Sequence, residues 1–129
     1  MKKDITNRDD IVLLVNTFYD KVKKDEIIGH IFSEVAQLNW DNHLPAMQNF
    51  WAGILLDEHS YVGNPMLKHI ELNKQYPLIE KHFQVWLEKF QQTVDELFEG
   101  TKAEEAKSRA VYIGQLLQHK IKISERDSL

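Results

Sequence analysis

Apolar positions along the chain recur at intervals of three and four, the period of α-helices, and no stretch alternates with the period of two that strands require. Ile11, Val15, Phe18 and Val22 lie at offsets of 4, 7 and 11 from the first and predict one helix with a single buried stripe. Thr6, with Asp9 three positions later, reads as the capping box that opens it. A second, shorter helix is predicted over Ile27, Ile28, Ile31, Phe32 and Val35, beginning at the acidic pair Asp25 and Glu26, where negative charge suits a helix N-terminus. A turn near Leu38 separates it from the third helix.

That third pattern runs to Leu56. Pro45 is tolerated in a first turn, where its missing N–H goes unnoticed, so the helix is expected to begin close to Asp41. Residues 57–65 read as loop, and Pro65 then opens a helix too short to stand alone. After Tyr76-Pro77 comes the longest ridge, Ile79, Phe83, Trp86, Phe90, Val94 and Leu97, ending at Gly100. The last helix is expected over about Lys102 to Ile123, with Ala103, Ala106, Ala110, Ile113, Leu117 and Ile121 at helical intervals. Its small residues allow a close neighbour. There are no internal repeats, and the fold class is all-α.

Composition narrows the chemistry. A chain of 129 residues reads as one domain, residues 1–129, with hydrophobic residues at 43% and charged residues at 28%, as in ordinary globular proteins. The net charge of −4 supplies no basic field for phosphate, which argues against nucleic acid as a partner. With no cysteine, disulfides, thiolate catalysis, iron-sulfur ligation and covalent haem attachment are all excluded. No signal-peptide pattern or membrane-length apolar run is evident, so a soluble, cytoplasmic protein is expected.

Six histidines, at 30, 43, 59, 69, 82 and 119, never fall three or four apart, which counts against paired-ligand zinc motifs. Glu26, His30 and Glu34 recur at intervals of four and read as a solvated polar face, since a metal there would need ligands from other helices. G-x-S-x-G and glycine-rich phosphate loops are absent, so reactivity would have to come from a bound cofactor. Two histidines sit on apolar faces. His69 has Met66 and Leu72 three positions to either side, and His43 is followed by Met47, Phe50 and Ile54 at offsets of 4, 7 and 11. Either imidazole is a packed core residue, or the two faces sandwich a flat apolar disc such as haem, with a single neutral histidine as axial ligand.

The ordered segments LVNTFYDKV (Leu14 to Val22), IGHIF (Ile28 to Phe32), HLPAMQNFWAGILL (His43 to Leu56), YVGNPMLKHIEL (Tyr61 to Leu72) and HFQVWLEKF (His82 to Phe90) resemble the truncated haemoglobins, most closely their third group. The paired-glycine motifs of the other truncated groups are missing, as in that group. The resemblance implies a globin-like two-over-two helical sandwich around haem b. His69 matches the proximal iron ligand, Phe32 the phenylalanine that wedges the porphyrin, and Tyr19, His43 and Trp86 the distal polar positions, with Met47 beside them. Phe50, Ile54, Met66 and Leu72 would line the cofactor, and Lys68 would reach a propionate or remain solvated. Each distal donor to a partly charged ligand would contribute about 1.5–3 kcal/mol.

A haem protein that binds dioxygen, nitric oxide or carbon monoxide, and serves in oxygen transport, is the function this implies. Two rivals stand beside it: a haem enzyme that consumes nitric oxide or peroxide with the help of a reductase, and a cofactor-free helical interaction module. A monomer or weak dimer is expected.

Overall fold

In a computed structural model that describes residues 1–127, the chain forms five α-helices and no strand among the described residues. They are α1 (Arg8–Lys24), α2 (Trp40–Leu55), α3 (Pro65–Gln75), α4 (Glu80–Leu97) and α5 (Thr101–Asp127), with a π-helical turn (Ile31–Val35) between α1 and α2. The pair α1–α2 packs on the pair α4–α5, and α3 lies on α5. This is the two-over-two arrangement of an all-α sandwich.

The expected stripe of α1 is buried, with Leu14 and Tyr19 added to it. Its cap is one residue off the expected register. Asn7 is the N-cap, its side chain accepting from Asp10 N, and Asp10 rather than Asp9 reaches back to accept from Thr6 N at 2.9 Å. The acidic residue that fits depends on where the helix turns, and both neighbours are aspartates.

Where a second α-helix was expected, the chain makes a turn over residues 26–28 and then the π-helical turn. Asp25 ends α1 and its carboxylate accepts from Ile27 N and Ile28 N, so it caps a turn too tight for an amphipathic helix. Ile27 is left exposed, and Glu26, His30 and Glu34 do not share a helix face. Ala36 N donates to Ile31 O, the wider π spacing, and Gln37 at φ +51° turns the chain into α2.

Helix α2 starts at Trp40, one residue before the expected Asp41, capped by Asn39. Pro45 therefore sits beyond the first turn and forfeits one helical hydrogen bond. Ile79 belongs to no ridge: it precedes α4 and is 55% exposed, and the helix ends at Leu97, with Phe98 buried beyond it. α5 extends past its expected limits at both ends.

The core centres on Phe90, fully buried where three helices meet. Its ring stacks on Trp51 of α2 at 4.6 Å and stands edge-on to Phe18 of α1 at 5.3 Å. Each such ring contributes about 1.5–3 kcal/mol by burial. Ala103, Ala106, Ala110 and Gly114 form the small face of α5, and a Cβ at Gly114 would lie 3.9 Å from Trp86 Cζ3, so Trp86 lies over that face.

Candidate functional site

Helix α3 has no fully buried residue, and on α2 the stripe His43, Met47, Phe50 and Ile54 is only half-buried. Apolar surface left half-covered on two helices is unusual for pure core, because burial is what holds short helices in place. Met47 and Ile54 rest against the main core, while Phe50 packs edge-on to Tyr61 at 5.3 Å.

His69 is positioned by the start of α3. Asn64 caps the helix through Leu67 N, Pro65 occupies its first position, and the Pro65 carbonyl lies 2.6 Å from His69 Nδ1. A carbonyl only accepts, so Nδ1–H donates and Nε2 keeps its lone pair. That carbonyl bond is common to a core histidine and to a ligand. The His69 Nε2 has no hydrogen-bond partner among the described residues, which leaves the lone pair open to a ligating role. Burial pushes the His69 pKa down, with the neighbouring Lys68 charge in the same direction and the carbonyl bond opposing both.

His43 lies near enough for the charge of His69 to act on it. Burial first, then the charges of Lys68 and His69, lower its pKa to about 4. Its Nε2 is buried with no hydrogen-bond partner, at the cost that an unsatisfied buried polar atom carries. Around it stand three aromatic rings: Tyr19 edge-on at 5.1 Å, Trp40 edge-on at 5.6 Å, and Phe32 beyond them, stacked on Trp40 at 6.3 Å and edge-on to Tyr19 at 6.0 Å. Burial raises the Tyr19 phenol well above its ordinary value, so it remains a neutral donor. Trp86, half-buried, joins through Phe18, edge-on at 6.0 Å.

The structure thus brings Tyr19, His43 and Phe32 together around Trp40, near enough to His69 for its charge to act on His43, with Met47 against the main core and Trp86 joined to Tyr19 through Phe18. It does not keep Met66 and Leu72 on one face with His69. Met66 turns toward α5 with Phe83, Leu117 and Ile121, whereas Leu72 packs on the main core. Offsets of three in opposite directions diverge around a helix, so the two flank the imidazole. Lys68 is exposed, its charge directed at both histidines.

Trp40 was missed by the sequence reading. Its ring also carries the Lys23 ammonium at 4.4 Å. The signal existed, because 40, 43, 47, 50 and 54 form one run of threes and fours, but a helix begun at Asp41 leaves Trp40 out.

A flat disc held by one axial imidazole fits this constellation. An orphaned nitrogen on one side, a lone pair on the other, and half-covered apolar stripes are what such a disc would satisfy. A direct metal site does not fit, since no group of three or more His, Cys, Asp or Glu among the described residues could hold an ion. An open groove of ≈ 430 Å³ between α4 and α5, floored by Phe83, Leu87 and Val111, contains none of these residues and is a separate feature. No described helix is long and apolar enough to cross a membrane.

The profile of the bacterial-like globins matches residues 3–121. A group 3 truncated haemoglobin of Campylobacter jejuni is 36% identical over 98 residues, 74% of this chain and 75% of that protein. The crystal structure of a group III truncated haemoglobin from Campylobacter jejuni superposes with a TM-score of 0.82 at 31% identity, covering 94% of this chain and 95% of that one.

Proposed function

Because the chain belongs to the bacterial-like globin family, whose membership implies haem binding, we propose that it holds haem b through His69 and reversibly binds dioxygen and other diatomic ligands. The observation that carries this reading is the His69–His43 pair: two half-buried imidazoles whose pKa values burial lowers, one with Nδ1 held by a carbonyl and Nε2 free, the other with Nε2 buried and unpartnered. Bound haem would supply an iron to which the His69 nitrogen could donate and at which a small diatomic molecule could bind.

The chain's own residues would do the rest. The Pro65 carbonyl fixes the His69 tautomer and ring plane and raises the basicity of the free nitrogen. Met47, Phe50 and Ile54 would exclude water from the disc, Phe32 would wedge its edge, and Lys68 would offer a cation to a carboxylate at its rim. On the distal side the Tyr19 hydroxyl, the Trp86 indole N–H and His43 Nε2 would hold hydrogen bonds toward the ligand. A cofactor-free module has no such use for an unpartnered buried nitrogen.

Hemin titrated into the purified protein tests the proposal. One equivalent should bind with a sharp Soret band, and His69→Gly should change the ferric, ferrous and carbon-monoxide spectra. A chain that takes up no hemin, or a variant with unaltered spectra, refutes it.

A further inference from the structure

Away from the His43 pair, three polar rings from three elements meet at the far end of α3. Tyr76 caps α3, its N–H donating to Leu72 O, and its hydroxyl lies 3.0 Å from Nε2 of His30, which immediately precedes the π-helical turn. His82, in the first turn of α4, lies tilted against the Tyr76 ring at 5.8 Å, held there as its Nδ1 accepts from Ile79 N at 3.1 Å. In the sequence His30 read only as part of a solvated polar face, and Tyr76 only as the residue before Pro77.

The bond matters because of how α3 is attached. On one side Met66 and Ile70 bind it to α5 through apolar contact. Its other hydrogen bonds stay within itself and its flanks: Asn64 to Leu67, Pro65 to His69, Asn73 to Leu78. Among the described residues, Tyr76–His30 is the only side-chain hydrogen bond joining α3 or its cap to an earlier part of the chain. It crosses from the helix that bears His69 to the turn that bears Phe32, one carrying the residue proposed to hold the disc and the other the residue proposed to wedge its edge.

We propose that the Tyr76–His30 hydrogen bond is a clasp that positions α3 against the π-helical turn and thereby sets how long the chain retains haem. This rests on the haem reading of the site. Tyr76 and His30 are positioning residues, acting on the cofactor through His69 and Phe32. If haem escape parts α3 from this turn, the parting includes breaking this bond, a net loss that slows escape by roughly tenfold.

The experiment tracks hemin transfer from the loaded protein to excess apomyoglobin for wild type, Tyr76→Phe, His30→Leu and the double variant. Tyr76→Phe keeps the ring and removes only the hydroxyl. Each single variant should release hemin roughly tenfold faster, the double no faster than either, and His30→Gln should restore part of the retention. The iron–histidine stretching band of the ferrous protein should shift in Tyr76→Phe, which a bond serving only global stability would not cause. Unchanged release rates, or single effects that multiply in the double variant, overturn the clasp. A wild type that takes up no hemin overturns the haem reading and the retention role together. Amide exchange then decides the clasp alone: faster exchange confined to α3 in Tyr76→Phe supports it, and unchanged exchange refutes it.

Discussion

At position 43 a half-buried imidazole keeps its Nε2 buried without a partner, within reach of the charges of Lys68 and His69. The folded chain takes up a proton there only near pH 4, whereas the unfolded chain does so near 6.5. Between those values the unfolded state binds more protons, so the haem-free protein should lose stability as pH falls from about 6.5 to about 4. His43→Leu should flatten that part of the profile, measured as urea midpoint against pH; a remainder from His69 and His82, both displaced in the same direction, should persist. Tyr19 acts differently, because burial keeps its phenol neutral and able to donate. If it donates to the ligand, Tyr19→Phe should speed oxygen release roughly ten- to hundredfold in stopped-flow experiments, the factor of one hydrogen bond to a charged acceptor. An unchanged rate would remove Tyr19 from the distal set.

Helices here are started by residues that local sequence rules only partly reveal. Asn7, Asn39 and Asn64 cap α1, α2 and α3. The N-terminus of α5 is capped instead by Asp4, whose carboxylate accepts from Lys102 N and Ala103 N, both at 2.9 Å, while Glu99 N donates to Lys3 O. Burial raises the Asp4 pKa, but those backbone N–H groups outweigh it and bring the net value below the ordinary carboxylate value of 3.8. Stability from this cap is therefore full above that value and lost as pH falls below it. Asp4→Ala should cost about 1–2 kcal/mol in denaturant unfolding. Gly100 is tied to the same contact: at φ +140° a Cβ would lie 2.5 Å from the Asp4 carboxyl carbon. Gly100→Ala should consequently destabilise by at least as much as the cap substitution.

Taken together, the helices leave half-covered apolar stripes on α2 and α3, so a bound disc would complete the interior. Hemin at a hundredfold excess over its dissociation constant should stabilise the fold by about 2.7 kcal/mol, raising the melting temperature by roughly ten degrees. Calorimetry with and without hemin reads this directly, and no rise would favour a chain complete without a cofactor. The gain should shrink in His69→Gly, which removes the proposed axial nitrogen while leaving the stripes intact.

The 3.6-residue periodicity was enough to establish an all-α fold, the buried faces of α1 and α5, and the ridge through Phe83, Phe90 and Val94, because amphipathic spacing is a local property that packing then obeys. His43 and His69 were likewise visible as imidazoles on apolar faces, and the ordered segments around them carried the resemblance to the truncated haemoglobins. Tertiary contact decided the rest. Whether residues 26–35 formed a helix depended on Asp25 closing a turn, and Trp40 joined the site only once α2 began one residue early. Met66 and Leu72 went to different clusters because α5 and the main core pull from different sides. Asp4 reaches α5 across nearly the whole chain, and Tyr76 meets His30 across two helices. Such partners have no fixed separation along the backbone, so no period or motif announces them; they exist only when packed layers bring distant donors and acceptors within about 3 Å.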